Sequence, residues 1–191
     1  MPRAQIDLFG TGAAYPDGFR YAPDVIDAGA ESVLIQQVRE LPFEAFEFHG
    51  YTGKRRVVSY GWQFDYEERH LHRVDDIPAF LLELRDHAGR FAGIEPAALP
   101  HVLVTEYGPG AAIGWHRDKG VFGEVVGVSL LSACTFRLRR AVPDGWERVS
   151  LTLAPRSVYL LGGAVRTEWE HSIPPVEATR YSVTFRTVRP A

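Results

Sequence analysis

The spacing of apolar and polar positions changes along the chain and divides it in two. From Asp27 to Glu40, apolar Ala30, Val33, Leu34 and Val38 recur near a 3.6-residue period, with Pro42 beyond the end, which predicts a helix. Phe80, Leu81, Leu84 and Ala88 make a similar face and predict a second helix from Pro78 to Gly89. Between the two, residues 43–66 alternate and are rich in Phe, Tyr, Val and Trp, which predicts two or three strands, with Gly50 and Gly53 marking a turn. From His101 onward only strand patterns follow: His101–Tyr107, Gly123–Leu131, Thr135–Arg140, Arg148–Leu153, Ser157–Leu161 and Arg180–Val188. Turn signals separate them at Gly108-Pro109-Gly110, Pro143-Asp144-Gly145, Gly162-Gly163 and Pro174-Pro175. Helices followed by a run of short strands predict an α+β, mainly β domain: a sandwich or jelly roll with N-terminal helices supporting one sheet. Residues 1–24, rich in Gly, Ala and Pro, read as an irregular lead-in.

One strand reads differently from the others. In Arg180-Tyr181-Ser182-Val183-Thr184-Phe185-Arg186, Tyr181, Val183 and Phe185 share one face, and Arg180, Ser182, Thr184 and Arg186 share the other. The polar face either lies on an exposed sheet edge or lines an internal cavity. In the second case two arginines roughly 20 Å apart, at about 3.3 Å per residue, would need anions beside them, because unpaired buried charge is strongly unfavourable. A dicarboxylate and acidic metal ligands would supply those anions.

Composition narrows the class. The chain has 191 residues, enough for one domain. Its formal net charge is -3, so any grip on nucleic acid must rest on local patches or on base contacts. One cysteine, Cys134, excludes a disulfide framework and argues against a cysteine-based zinc site. No segment is apolar and long enough to serve as a signal peptide or to span a bilayer, so a cytoplasmic protein with no membrane partner is expected.

The candidate chemistry lies in Trp115-His116-Arg117-Asp118 and Glu168-Trp169-Glu170-His171-Ser172. On a strand, His116 and Asp118 would share a face, and His171 follows 55 positions after the first histidine. Two imidazoles and a carboxylate on one side of iron(II) leave three positions open, which suits an ion that must bind a cosubstrate and then oxygen. A His-x-Asp pair alone is more often a surface or capping pair, and His49, His70, His72, His87 and His101 read as structural or surface residues. The order of features adds weight: the pair, the distal histidine, then Arg180, whose planar fork matches a carboxylate.

From Leu99 to Arg189 the sequence resembles the AlkB family of iron(II), 2-oxoglutarate-dependent oxygenases. The resemblance rests on Thr105-Glu106-Tyr107-Gly108-Pro109-Gly110, Ile113-Gly114-Trp115-His116-Arg117-Asp118-Lys119, Val126-Gly127-Val128-Ser129-Leu130, Glu168-Trp169-Glu170-His171-Ser172-Ile173 and the two-arginine strand itself. Val57-Val58-Ser59-Tyr60-Gly61-Trp62 resembles the family's nucleotide-recognition region more loosely. The resemblance implies a double-stranded β-helix with a support and recognition region over 25–98 and a catalytic core over 99–189. It implies iron(II) held by His116, Asp118 and His171. It also implies 2-oxoglutarate held by Arg180 and Tyr107, with Arg186, Thr105 and Ser182 nearby, and O2 as the other cosubstrate. Many members carry Asn where this chain has Thr105 and Ser182, and repair members carry an acidic residue where it has Gly120.

On the substrate side, Tyr60, Trp62, Phe64 and Tyr66 alternate and either pack on the sheet or stack on an extruded base. Of these, Tyr60 and Trp62 are the chosen stacking residues. Lys54-Arg55-Arg56 and Arg137 are candidate contacts to the substrate strand, whereas Trp115 and Trp169 read as packing residues that fix ligand geometry. The expected activity is oxidative dealkylation of nucleobases in DNA or RNA, single-stranded or with the base extruded, by a monomer. Two alternatives stand beside it: an AlkB-like oxygenase acting on modified tRNA or protein, and a non-catalytic jelly-roll binding module.

Overall fold

The computed structural model describes residues 15–48, 51–65 and 70–189, so His49, Gly50, Tyr66 and residues 1–14 of the expected lead-in lie outside the described residues. Helix α1 (Ala28–Arg39) begins where expected, with the Asp27 carboxylate accepting from the Ala30 N–H at 2.8 Å. Its buried stripe is Glu31, Leu34, Ile35 and Val38, whereas Val33 is 58% exposed and Ala30 faces solvent. The predicted face was therefore out of phase by part of a turn. Glu31 can occupy the buried row because its carboxylate accepts from the Leu131 N–H at 2.9 Å and from Arg156 at 3.1 Å.

Helix α2 (Leu82–Ala92), entered through a short turn at Ala79–Leu81, runs past the expected stop. Gly89 is helical and serves a close approach: a Cβ there would lie 2.6 Å from the Ile94 carbonyl oxygen. The helix ends at Gly93, whose φ of 73° suits a left-handed cap.

Thirteen strands follow one another among the described residues: β1 (Phe19–Ala22), β2 (Glu44–Phe48), β3 (Tyr51–Tyr60), β4 (Trp62–Phe64), β5 (Leu71–Arg73), β6 (His101–Tyr107), β7 (Ile113–His116), β8 (Phe122–Leu130), β9 (Cys134–Val142), β10 (Gly145–Leu153), β11 (Val158–Leu161), β12 (Glu170–Ile173) and β13 (Arg180–Val188). A five-residue helix, α3 (Gly163–Thr167), precedes β12. The strands form a seven-stranded sheet in the order β1-β11-β8-β13-β6-β3-β2, a four-stranded sheet in the order β10-β9-β12-β7, and a β4-β5 hairpin. The architecture is a jelly roll with two cores. One, containing Leu34, Val38, Leu84, Val104, Val128, Tyr181, Val183 and Phe185, fills the space between the helices and the larger sheet. The other, containing Tyr107, Val125, Phe136, Leu138, Leu161 and Ile173, lies between the two sheets.

Strand β13 sits in the middle of the larger sheet, paired with β8 and β6, so the exposed-edge alternative for its polar face does not hold. Arg180, Ser182, Thr184 and Arg186 are all under 9% exposed and face the other sheet.

Four further differences from the sequence-based expectation concern short elements. β1 forms inside the expected lead-in by pairing with β11. β7 and β12, four residues each, were not expected as strands. Gly53 lies within β3 rather than in a turn. Finally, Gly61, with φ 78°, ends β3, so Tyr60 and Trp62 do not share one strand. Gly61 is tied to the segment after β5 by its N–H to the Asp75 carbonyl at 2.7 Å, and a Cβ there would overlap the Pro100 carbonyl oxygen. Gly61→Ala should therefore lower stability by about 1–3 kcal/mol, read as a fall in the urea midpoint. An unchanged midpoint would show that this backbone conformation is not required.

Candidate metal centre

Antiparallel pairing of β7 with β12 sets His116 directly opposite His171. Their rings are 4.2 Å apart between centroids, and Phe136 packs on the His171 ring at 5.5 Å. The Gly114 carbonyl lies 2.9 Å from His116 Nδ1 and can only accept, so Nδ1 carries the hydrogen and Nε2 keeps its lone pair. Asp118 does not share a strand with His116, contrary to the expectation from spacing. β7 ends at His116, and Asp118 lies in the following loop. Two arginines hold that loop. Arg186 donates to Asp118 Oδ1 from Nη2 at 2.8 Å and from Nε at 3.2 Å. Buried Arg166 donates to the carbonyls of Lys119 (2.7 Å), Phe122 (2.8 Å) and Gly123 (2.8 Å). The other carboxylate oxygen then stands 3.7 Å from His171 Nε2.

Among the described residues no three such donors stand in finished coordination geometry, and Asp118 gives one of its two oxygens to Arg186. The donor set nevertheless fits a divalent ion. Burial pushes the His171 imidazole down to about 3, and His116 is lowered chiefly by burial too, so both are neutral at pH 7. Burial alone would raise the Asp118 carboxyl, but Arg186 above all, then the two histidines and Arg166, hold it below the usual carboxylate range. Two neutral imidazoles and an ionised carboxylate need no proton removed before binding a metal.

Arg180 supplies the second requirement. It is fully buried, donates from Nη2 to Ser129 Oγ at 3.0 Å and lies 4.9 Å from the Tyr107 ring centroid. Its Nε and Nη1 have no hydrogen-bond partner, and they are two of only three such buried side-chain atoms among the described residues. A buried guanidinium with two unused N–H groups is a seat for a carboxylate. Thr105 pairs in register with Ser182, and both are buried on the same inner face, with Ser182 Oγ 3.4 Å from Thr184 Oγ1.

The 2OG-Fe(II) oxygenase superfamily model matches residues 18–186, most of the chain. The chain belongs to that superfamily. It is a dioxygenase using iron(II), 2-oxoglutarate and O2, and it is AlkB-like. It is 26% identical over 181 residues to the alkylated DNA repair protein ALKBH8 homolog of Arabidopsis thaliana, covering 82% of this chain and 51% of that protein. It is 25% identical over 169 residues to the mouse tRNA (carboxymethyluridine(34)-5-O)-methyltransferase ALKBH8, covering 85% of this chain and 25% of that protein. The chain thus spans about half or less of these curated relatives. In fold it is similar to OsALKBH1 (TM-score 0.66, 17% identity, 91% of this chain and 98% of that one). It is also similar to a Pseudomonas putida prolyl-4-hydroxylase (TM-score 0.61, 15% identity, 91% and 94%).

The rim of this oxygenase departs from the expected substrate surface. Tyr60 is 8% exposed and packs in the core under the helices, so it is not a stacking platform. The break at Gly61 turns it away from Trp62. Trp62 stays half-buried on the β4-β5 hairpin beneath Arg73, whose guanidinium lies 5.5 Å from its ring. Next to it, Phe64 has Lys119 Nζ 5.2 Å from its ring centroid, which ties the hairpin to the loop carrying Asp118. Lys54 is exposed, whereas Arg55 is in register with Tyr107, which is itself in register with Arg180. Arg137 lies on the outer face of the smaller sheet, its Nε donating to Ser172 Oγ at 3.1 Å. Trp169 is buried as expected. A cleft of about 310 Å³ beside the loop is lined by Arg117, Asp118, Gly120, Arg166, Thr167 and Arg189.

His101, expected as structural or surface, is buried, with Nδ1 3.5 Å from Arg186 Nη1. Sequence reasoning missed the roles of Ser129 and Arg166. No local pattern marks these residues, because each acts on a segment far away along the chain.

The site has a pH signature in the metal-free protein. His171, His116 and Asp118 all titrate lower when folded than the unfolded values of about 6.5 and 3.9. The unfolded chain therefore binds more protons below pH 6.5, and stability falls as the pH drops from there towards 3. The urea midpoint should decline over that window, and more shallowly in His171→Gln. An equal decline in both proteins would contradict a neutral buried His171.

Proposed function

We propose that this oxygenase removes alkyl groups from nucleobases in DNA or RNA. In the overall reaction one atom of O2 ends in succinate, formed with CO2 from 2-oxoglutarate, and the other ends in an aldehyde carrying the alkyl carbon. Iron(II), when bound, supplies the oxygen activation. His116, Asp118 and His171 would hold it. Arg180 and Tyr107 would hold the distal carboxylate of 2-oxoglutarate, with Thr105 and Ser182 lining the seat. Arg186 fixes Asp118. Burial of these groups between two sheets keeps bulk water from the reaction.

The observation that carries the substrate class is the basic and aromatic rim on a chain of net charge -3. Trp62 and Phe64 are half-buried rings with Arg73 and Lys119 against them, and Arg117 and Arg189 line the cleft next to Asp118 beside an Arg166 already committed to backbone carbonyls. Rings of this kind stack on an unpaired base, and the cations suit the phosphates on either side. Gly120, where repair members are acidic, leaves Asp118 as the sole carboxylate lining that cleft. The names of the relatives point both to alkylated DNA and to tRNA, which supports a nucleic-acid substrate of either kind.

Oligonucleotides bearing 1-methyladenine, 3-methylcytosine or ethenoadenine, followed by mass spectrometry, test the proposal. Loss of the alkyl mass from one of them is expected. Succinate formation with none of them changed would overturn base dealkylation. His116→Ala should abolish turnover. Arg180→Ala should raise the KM for 2-oxoglutarate by about tenfold to a hundredfold, the effect expected for charge-assisted hydrogen bonds, and an unchanged KM would remove Arg180 from that role.

A further inference from the structure

The outer face of the four-stranded sheet carries a row of alternating rings and guanidinium groups that the reaction does not use. Trp115 stands on β7, Arg137 and Arg139 on β9, and Trp146 and Arg148 on β10. The Arg139 guanidinium lies 4.4 Å from the Trp115 ring centroid and 4.0 Å from that of Trp146, and Arg137 lies 5.0 Å from Trp115. Trp146 is 41% exposed, one of three large apolar residues left open among the described residues. Arg148 is exposed and in register with Arg139.

The row is built rather than loose. Arg137 spends its Nε on Ser172 at 3.1 Å, and Arg139 spends its Nε on Glu170 at 2.6 Å. Each guanidinium is thus pinned at one edge and stacked on a ring, with its terminal nitrogens left for an outside acceptor. Pinning removes much of the ordering entropy that a free arginine loses on binding. Glu170 is the one carboxylate on the row, against three arginines. Neighbouring Glu147 and Glu168 are both held by Arg140. Arg137 and Arg139 are two residues apart on a strand, about 7 Å, which is comparable with the separation of successive phosphates in an extended nucleic-acid strand.

The row is continuous with the site. β7 is the edge strand of its sheet, and Trp115 and His116 are adjacent on it, Trp115 on the outer face and His116 on the inner. We propose that this face is a second nucleic-acid surface. On it the single-stranded segment flanking the modified base rounds the β7 edge, lays its phosphates on Arg137, Arg139 and Arg148, and stacks a base on Trp146. Stacking on rings with arginine contributions is sequence-tolerant and salt-sensitive. The proposal rests on the nucleic-acid reading above.

The test uses the iron-loaded enzyme with 2-oxoglutarate and compares a trinucleotide with an oligonucleotide of about 15 nucleotides, both carrying the same lesion. The variant Trp146→Ala with Arg148→Gln changes exposed residues of β10 only. Its kcat/KM on the trinucleotide should match wild type. Its KM on the longer strand should rise about tenfold, and the slope of log KM against log salt should fall by about 0.7 for each phosphate no longer neutralised. Unchanged KM on the longer strand would overturn the proposal, and so would an equal loss on both lengths. Competition by polyglutamate as strong as that by an oligonucleotide of equal charge would assign the face to an acidic protein and overturn it as well. If wild type processes lesions in both lengths equally well, the second surface falls while base dealkylation stands. If it processes neither, the substrate class itself falls.

Discussion

Everything at the centre of this protein turns on a buried guanidinium that its own chain leaves partly unsatisfied. Arg180 sits on the middle strand of a seven-stranded sheet with no exposure, one bond to Ser129 and two idle nitrogens. Such a group is tolerated only where an anion comes to it, since an unpaired buried charge opposes folding. Arg186, six residues further along the same face, shows the satisfied case: it grips Asp118 with two nitrogens. One strand face thus fixes both a place for an incoming carboxylate and the orientation of a carboxylate that faces His171.

That arrangement is possible because β13 is buried on both sides for different reasons. Tyr181, Val183 and Phe185 join the core under α1 and α2. This apolar packing anchors the strand, so the opposite face is free to be polar. The smaller sheet then closes over that face and brings the histidines, which a short β7-β12 pairing holds in register. Helices α1 and α2 contribute no group to the reaction site. They cover one face of the larger sheet, and the sheet in turn keeps Arg180 away from water.

Much of this was legible in the sequence, and the failures have physical causes. The two-faced pattern of Arg180–Arg186 was visible, and so were the six C-terminal strand segments, five of them seven to nine residues long in the fold and only β11 as short as four. Whether the polar face lay inside or at an edge could not be read locally, since strand order is a property of the whole sheet. β7 and β12 are four residues long, too short for a strand period to stand out. Spacing puts His116 and Asp118 on one face only if a strand runs through both; β7 stops at His116, and the loop carrying Asp118 is set by Arg166, which reaches back from 47 residues away. The aromatic alternation through Tyr60 and Trp62 misled because one glycine with positive φ breaks the strand between them. Glu31 took a buried helical position that a hydrophobic pattern cannot anticipate, through partners 100 and 125 residues away.

The convergence of His116, Asp118, His171 and Arg180 on one hollow is tested most directly by spectroscopy without oxygen. Iron(II) and 2-oxoglutarate added together to the protein under anaerobic conditions should produce the weak visible charge-transfer band of a chelated 2-oxo acid, and neither should produce it alone. His171→Ala should lose the band while remaining folded. If wild type shows no band at saturating iron and 2-oxoglutarate, the four side chains do not form one centre.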